Sequence, residues 1–300
     1  MTALARLGLG TAQFGLDYGI SNRLGRPDER EVAAILARAV EVGVGYIDTA
    51  PAYGEAEALL GRYLPRGHAF RIVTKTPTLA VTTIEARHGR QILDHLAVSL
   101  NRMKVDAVHA VLLHQPGDLA KPGWQHVVEA LTEARSRGWA RRIGASIYNS
   151  DQLSLVESRF KPELIQLPFN ALDRRPIASG TLARLKTANV DIHTRSVFLQ
   201  GLLLMKPDEL PEYFAPVRAR IVGLQNMWRE RGLSAVQGCL LFVLQHADVD
   251  AVIVGINRLD ELTQINAAIA SSAGADFELA PGPSIDPAYL EPSRWPDFVH

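Results

Sequence analysis

An eightfold alternation constrains this chain more than any other feature: a short apolar, often β-branched run is followed each time by a longer amphipathic segment. The runs fall at 7–10, 45–47, 70–74, 107–113, 142–145, 164–167, 191–194 and 251–254. The helical segments fall at 28–42, 55–63, 84–103, 123–137, 150–159, 176–188, 217–231 with 234–245, and 259–272. Unbroken alternation of this kind implies parallel strands with helical crossovers, and eight strands is the number that closes a (β/α)8 TIM barrel. In the first helical segment Val32, Ile35, Leu36, Ala39 and Val40 recur at helical spacing behind the start signals Pro27 and Asp28. A barrel of about 250 residues plus extensions accounts for all 300 residues as one domain, and 47% hydrophobic content supplies its core. No linker or repeat divides the chain. Residues 280–300, with prolines at 281, 283, 287, 292 and 296 and no periodicity, form an irregular tail expected to wrap the barrel over its mouth.

Charge and cysteine content exclude several functions. Thirty-two basic and 32 acidic residues give zero formal net charge, so no field favours nucleic acid or an anionic membrane. A small-molecule partner is expected, and no partner protein is evident. The lone Cys239 excludes an internal disulfide and a cysteine metal cluster, and suits a reducing compartment. The first ten residues lack an apolar signal region, and no apolar run is long enough to span a membrane, so a cytoplasmic location is expected.

Asp48, Tyr53, Lys75 and His114 stand at or just beyond the ends of three successive strand runs. In a barrel the C-terminal strand ends converge on one mouth, so these four would surround one reacting atom. Alone, each has an ordinary structural explanation: a turn cap, a loop aromatic, a solvated cation, a core histidine. Together they contain the parts of an acid catalyst for a carbonyl. Lys75 lowers the pKa of the Tyr53 phenol, Asp48 holds Lys75 charged, and His114 donates a hydrogen bond to the substrate oxygen. His109, five residues from His114, is expected on the other face of its strand, in a structural role, and no metal site is expected. An open dinucleotide-binding sheet fits worse, because Gly8, Gly10 and Gly15 lack the required spacing and no clear helix follows them.

The residues that fill this frame resemble those of the aldo-keto reductase family. The matching stretches are Leu9 to Gly15, Asp48-Thr49-Ala50 through Tyr53-Gly54, Leu60-Gly61, Val73-Thr74-Lys75, Leu113-His114, Ile143 to Ser146, Gln166, Gln200-Gly201-Leu202 and Val252 to Gly255. They run from the first strand to the eighth. The resemblance implies a barrel that uses a nicotinamide cofactor, with Asp48, Tyr53, Lys75 and His114 as its catalytic tetrad and Tyr53 as the general acid. It also implies that Ser146 and Gln166 hold the carboxamide, that Leu199, Gln200 and Gly201 follow the pyrophosphate, and that Gly255 to Gln264 receive the adenosine.

The chain departs from the family pattern at three sites: Ile147 replaces a polar carboxamide ligand, Arg195 replaces the aromatic ring over the nicotinamide, and the pair Gln264-Ile265 replaces an adenine-binding pair. The chain also has little room for a hairpin beneath the barrel. Arg258, in the turn after the last strand, suits a 2′-phosphate, so NADP(H) is favoured while NAD(H) stays possible. The resemblance implies a small carbonyl compound as substrate, or an alcohol or sugar in the reverse direction. Tyr18, Tyr148, Asn149 and Asn170 are the candidates for its contacts, with Asp17, Trp124, Asp173, Arg174 and Trp295 on the same loops. The competing readings are a low-turnover nucleotide sensor on the same barrel and a lyase or isomerase using Lys75 as a Schiff-base amine.

Overall fold

The computed structural model describes residues 2–271, 279 and 284–296, and within them the eight apolar runs are parallel strands closed into a barrel in sequence order. The strands are β1 (Leu7–Gly10), β2 (Tyr46–Asp48), β3 (Arg71–Lys75), β4 (Val108–Leu113), β5 (Ala140–Ser146), β6 (Leu164–Pro168), β7 (Asp191–Arg195) and β8 (Ala251–Gly255). β1 closes the ring by pairing with both β2 and β8. The helices are α1 (Ala12–Gly15), α2 (Glu29–Val42), α3 (Ala56–Tyr63), α4 (Ala86–Met103), α5 (Gln125–Ser136), α6 (Ser150–Arg159), α7 (Arg175–Ala178), α8 (Thr181–Thr187), α9 (Ala215–Glu230), α10 (Ala235–Leu244), α11 (Leu259–Ser271) and α12 (Pro287–Leu290). None of these helices is long and apolar enough to cross a membrane.

Strands covered on both faces need apolar side chains on both. Inside the barrel, Tyr46, Ala251 and Ile253 form one buried cluster and Val73, Ala110, Leu112 and Leu164 another. Outside it, Leu9, Ile47, Val111 and Ile165 join Ile35, Leu36, Ile92 and Leu131 of the helices in the main core. Gly8 packs against Ile253, whose Cδ1 would lie 2.4 Å from a Cβ at that position and would have to shift to admit one.

α2 shows how local sequence sets the helix ends. The Asp28 side chain accepts a hydrogen bond from Glu31 N at 2.8 Å, and Glu29 and Glu31 complement the positive end of the helix. Gly43 ends it at φ 80°, where a side chain would be strained. Val32, Ile35, Leu36 and Ala39 are buried, whereas Val40, expected on the same face, is 39% exposed.

Other expectations are corrected. The helix expected at 176–188 is two, α7 and α8, because Gly180 adopts φ 67° and the Ser179 hydroxyl donates to Arg175 O at 2.8 Å. His109 does not turn to the outer face. Its ring is edge-on to Tyr46 and stacked 6.5 Å from His193, so three rings meet within the barrel. A short 3-10 turn, Leu4–Arg6, precedes β1, and Arg6 donates to Leu244 O and His246 O. Of the tail, residues 280–283 and 297–300 lie outside the described residues. The remainder is partly ordered as α12 and a 3-10 turn at Pro292–Arg294, tied to the barrel by Arg175 to Glu291 at 2.9 Å and by Tyr213 Oη donating to Ala288 O.

Candidate active site

Asp48 and Lys75 are the last residues of β2 and β3, and the barrel turns both inward. Lys75 Nζ lies 2.7 Å from Asp48 Oδ2 and donates to Thr49 O at 3.0 Å. Both side chains are buried, Lys75 at 3% exposure and Asp48 at 5%. A buried ammonium ordinarily loses its proton, but here burial is outweighed by Asp48 and by Tyr53, which hold the Lys75 pKa above its usual value.

Tyr53 stands in the turn between β2 and α3. Its amide donates to Ala50 O and its carbonyl accepts from Ala56 N. Gly15, at the end of α1, backs this turn so closely that a Cβ there would lie 1.8 Å from Tyr53 O. The phenol ring is 5.0 Å from Lys75 Nζ and edge-on to His114, with centroids 6.2 Å apart. Burial raises the Tyr53 pKa, and Lys75 pulls it back only in part, so the net direction is upward. The expectation of a lowered value is therefore corrected for the protein alone, and Tyr53 holds its proton at neutral pH.

His114 follows β4, its amide donating to Thr76 Oγ1 at 3.1 Å. Burial, with Lys75 and Arg195 nearby, pushes its pKa down to about 3, leaving a neutral imidazole. Its Nδ1 is buried with no hydrogen-bond partner among the described residues.

A second layer fixes these groups. Gln166 on β6, wholly buried, donates from Nε2 to Asp48 Oδ1 at 2.7 Å and accepts from the Ser146 hydroxyl at Oε1, 3.1 Å away. Both residues expected at a carboxamide are thus linked to the Asp48–Lys75 pair, a role the sequence did not reveal. Ile147 is buried, and its carbonyl accepts from Arg195 at 3.2 Å. The Arg195 guanidinium lies 4.2 Å from the Tyr148 ring centroid, with a second contact to Ser196 Oγ at 3.4 Å.

All four tetrad residues line one cavity of about 610 Å³. Ser146, Gln166 and Arg195 line it too, as do Gln200 and Gly201 from the loop after β7, where Ser196, Leu199, Gln200 and Gly201 all have positive φ. Leu199 instead points into the core with no exposure. Gly255 of β8, Glu261, Gln264 and Ile265 of α11, and Leu204 and Val236 line the same cavity.

Several expected contacts lie elsewhere. Arg258 does not line the cavity; it is exposed and pairs with Asp260 at 3.1 Å. Tyr18 and Tyr148 do line it. Asn149 caps α6 by accepting from Gln152 N, and borders a neighbouring cavity of about 430 Å³. Asn170 is wholly buried, donating to Ser196 O and accepting from Leu172 N and Asp173 N, so it shapes a loop. Asp173 pairs with Arg175, and Trp124 packs under Arg159. Gln13, just after β1, and Gln152 on α6 line the cavity and were missed. The convergence of strand ends that identified Asp48 applies equally to Gln13. Among the described residues, no group of three or more metal-ligating side chains comes together.

A model of the aldo/keto reductase family matches residues 6–274. The chain is 27% identical over 324 residues to a D-threo-aldose 1-dehydrogenase of a Pseudomonas species, covering 93% of this chain and 94% of that protein. It is 24% identical over 273 residues to an oxidoreductase of Bacillus subtilis, YqkF, covering 85% and 88%. A solved aldo-keto reductase from Bacillus halodurans superposes with a TM-score of 0.68 at 22% identity, covering 88% of this chain and 86% of that one, which is a likeness of fold.

Proposed function

The chain belongs to the aldo/keto reductase family, a family of NAD(P)-dependent oxidoreductases, and from that premise we propose that it reduces a small aldehyde or ketone, with Tyr53 as general acid. The observation that carries this reading is the buried Lys75–Asp48 pair beside the Tyr53 ring, with Tyr53 and His114 facing one cavity.

The bound nicotinamide dinucleotide would supply the hydride for the carbonyl carbon, and the chain's own residues would manage the proton and the charge. Tyr53, protonated at neutral pH, delivers its hydroxyl proton to the carbonyl oxygen. The phenolate left behind is stabilised by the Lys75 ammonium, which Asp48 keeps charged and in place. Neutral His114 has a ring N–H with which to hydrogen-bond the same oxygen as negative charge develops on it. Solvent then returns the proton to Tyr53. In the oxidative direction the phenolate accepts the proton from an alcohol.

The cavity suits the dinucleotide: Ser146, Arg195, Gln200 and Gly201 offer polar contacts along its length, and Gly255 leaves its wall without a side chain. Tyr18, Tyr148 and Gln152 give the substrate end both rings and hydrogen-bonding groups, and a relative is named for an aldose. Together these support a polar, hydroxylated aldehyde as the substrate class. Mixing the protein with reduced nicotinamide dinucleotide and a panel of aldehydes, and following the loss of its near-ultraviolet absorbance, tests the reading. Turnover of one polar aldehyde well above the rest is expected. Tight nucleotide binding with uniformly negligible turnover would count against it and favour a sensor.

A further inference from the structure

The nicotinamide end of a dinucleotide must meet Tyr53, so its adenosine has to lie elsewhere in the same cavity, and the wall contributed by β8 and α11 suits it. There Leu204, Val236 and Ile265 give apolar walls for a purine, and Glu261 and Gln264 project from the beginning of α11. A helix start normally offers free amides to a phosphate. In this chain those amides already serve carboxylates. Glu261 Oε2 accepts from Asn257 N at 2.7 Å and from Arg258 N at 3.3 Å, and Glu31 Oε1 accepts from Leu259 N at 2.6 Å. Arg258, the cation available to a 2′-phosphate, is paired with Asp260 in the solvent. Three carboxylates and one guanidinium therefore surround this turn.

We propose that Glu261 makes the adenosine end of the cavity selective for NAD(H) over NADP(H). A carboxylate accepts hydrogen bonds from ribose hydroxyls. A 2′-phosphate at the same place would meet a like charge and find the amides occupied. This inference rests on the nicotinamide reading given above and reverses the preference that Arg258 suggests in the sequence.

The test is direct binding, independent of turnover: NADH and NADPH are titrated separately against wild type, Glu261→Gln and Arg258→Ala by quenching of tryptophan fluorescence. Like-charge juxtaposition implies that wild type holds NADH at least about tenfold more tightly than NADPH. Glu261→Gln keeps an acceptor for the Asn257 amide but loses the charge, and should bring the two dissociation constants together mainly by improving NADPH. Arg258→Ala should leave the wild-type order unchanged. Tighter NADPH than NADH in wild type, or a ratio unmoved by Glu261→Gln, overturns the inference while leaving the oxidoreductase reading intact. Binding of neither nucleotide overturns both.

Discussion

Gln166 and Asp48, 118 residues apart in sequence, are joined by a 2.7 Å hydrogen bond that divides the work of one carboxylate: Oδ1 accepts from Gln166 and Oδ2 holds Lys75. Asp48 thereby has a single orientation. Gln166→Leu leaves Oδ1 buried without its donor, at a cost of about 1–3 kcal/mol in stability. It also frees the Lys75 partner to rotate. Denaturant unfolding should show that loss, and turnover should fall further than stability alone explains. Unchanged turnover would make the bond purely architectural.

Tyr53→Phe removes one oxygen and leaves the ring between Lys75 and His114. Turnover should fall by about 10²–10⁴-fold, the usual contribution of a positioned acid, while nucleotide binding stays close to wild type. Because the Tyr53 pKa is shifted upward by burial, reduction, which in the proposed mechanism uses the phenol, should hold its rate through neutral and mildly alkaline pH and decline only as Tyr53 ionises. Oxidation, which uses the phenolate, should rise over that same alkaline limb. A reductive rate already falling near neutrality would be inconsistent with Tyr53 as the donor.

Gly15→Ala places a methyl group where Tyr53 O now sits, since a Cβ at Gly15 would be 1.8 Å from it. The turn carrying Tyr53 must move. Displacing a catalytic group by about 1 Å costs on the order of 10²-fold in rate, so Gly15→Ala should resemble a mild Tyr53 variant kinetically while keeping the circular dichroism of the folded barrel.

The barrel was legible because its strands are buried on both faces and read as apolar runs, and its helices as amphipathic segments between them. That Asp48, Tyr53, Lys75 and His114 meet at one cavity was legible because strand ends in such a barrel converge. What escaped was set by tertiary contact. Nothing local marks Gln166 as the partner of Asp48, or Asn170 as a loop brace, because those bonds depend on which strands become neighbours. Arg258 looked like a phosphate ligand from its position in a turn. Its pairing with Asp260, and the claim of Glu261 on the turn amides, depend on backbone geometry. The Ser179-Gly180 break in the helix at 176–188 was a local signal that the apolar periodicity masked.

Three histidines are kept neutral by burial: His109 with a pKa lowered to about 4, and His114 and His193 with values lowered to about 3. In the unfolded chain each titrates near 6.5. Below that value the unfolded state binds protons that the folded state refuses, so stability is fully present above about pH 6.5 and is lost as the pH falls toward 4 and 3. Each histidine contributes a slope of about 1.4 kcal/mol per pH unit inside its window. His193 has no exposure, and neither ring nitrogen has a hydrogen-bond partner among the described residues. His193→Phe should flatten the acid limb by one proton without loss of stability at neutral pH, measured from denaturant midpoints between pH 7.5 and 5. An unchanged slope would mean that His193 protonates in the folded protein.

Arg195 places a second cation in the cavity beside Lys75, held by the Tyr148 ring and Ile147 O. The nicotinamide ring is neutral when reduced and positively charged when oxidised, so Arg195 should favour the reduced form. Two like charges some 4 Å apart at an effective dielectric of about 20 repel by roughly 4 kcal/mol. Arg195 rests on Tyr148 and is partly open to solvent, which reduces the effect to about two- to tenfold in affinity. Arg195→Leu should therefore lower the ratio of the oxidised to the reduced dissociation constant by that factor, measured by titrating both forms. If the ratio stays fixed while both forms bind more weakly, Arg195 holds the pyrophosphate, and its charge has no part in the redox preference.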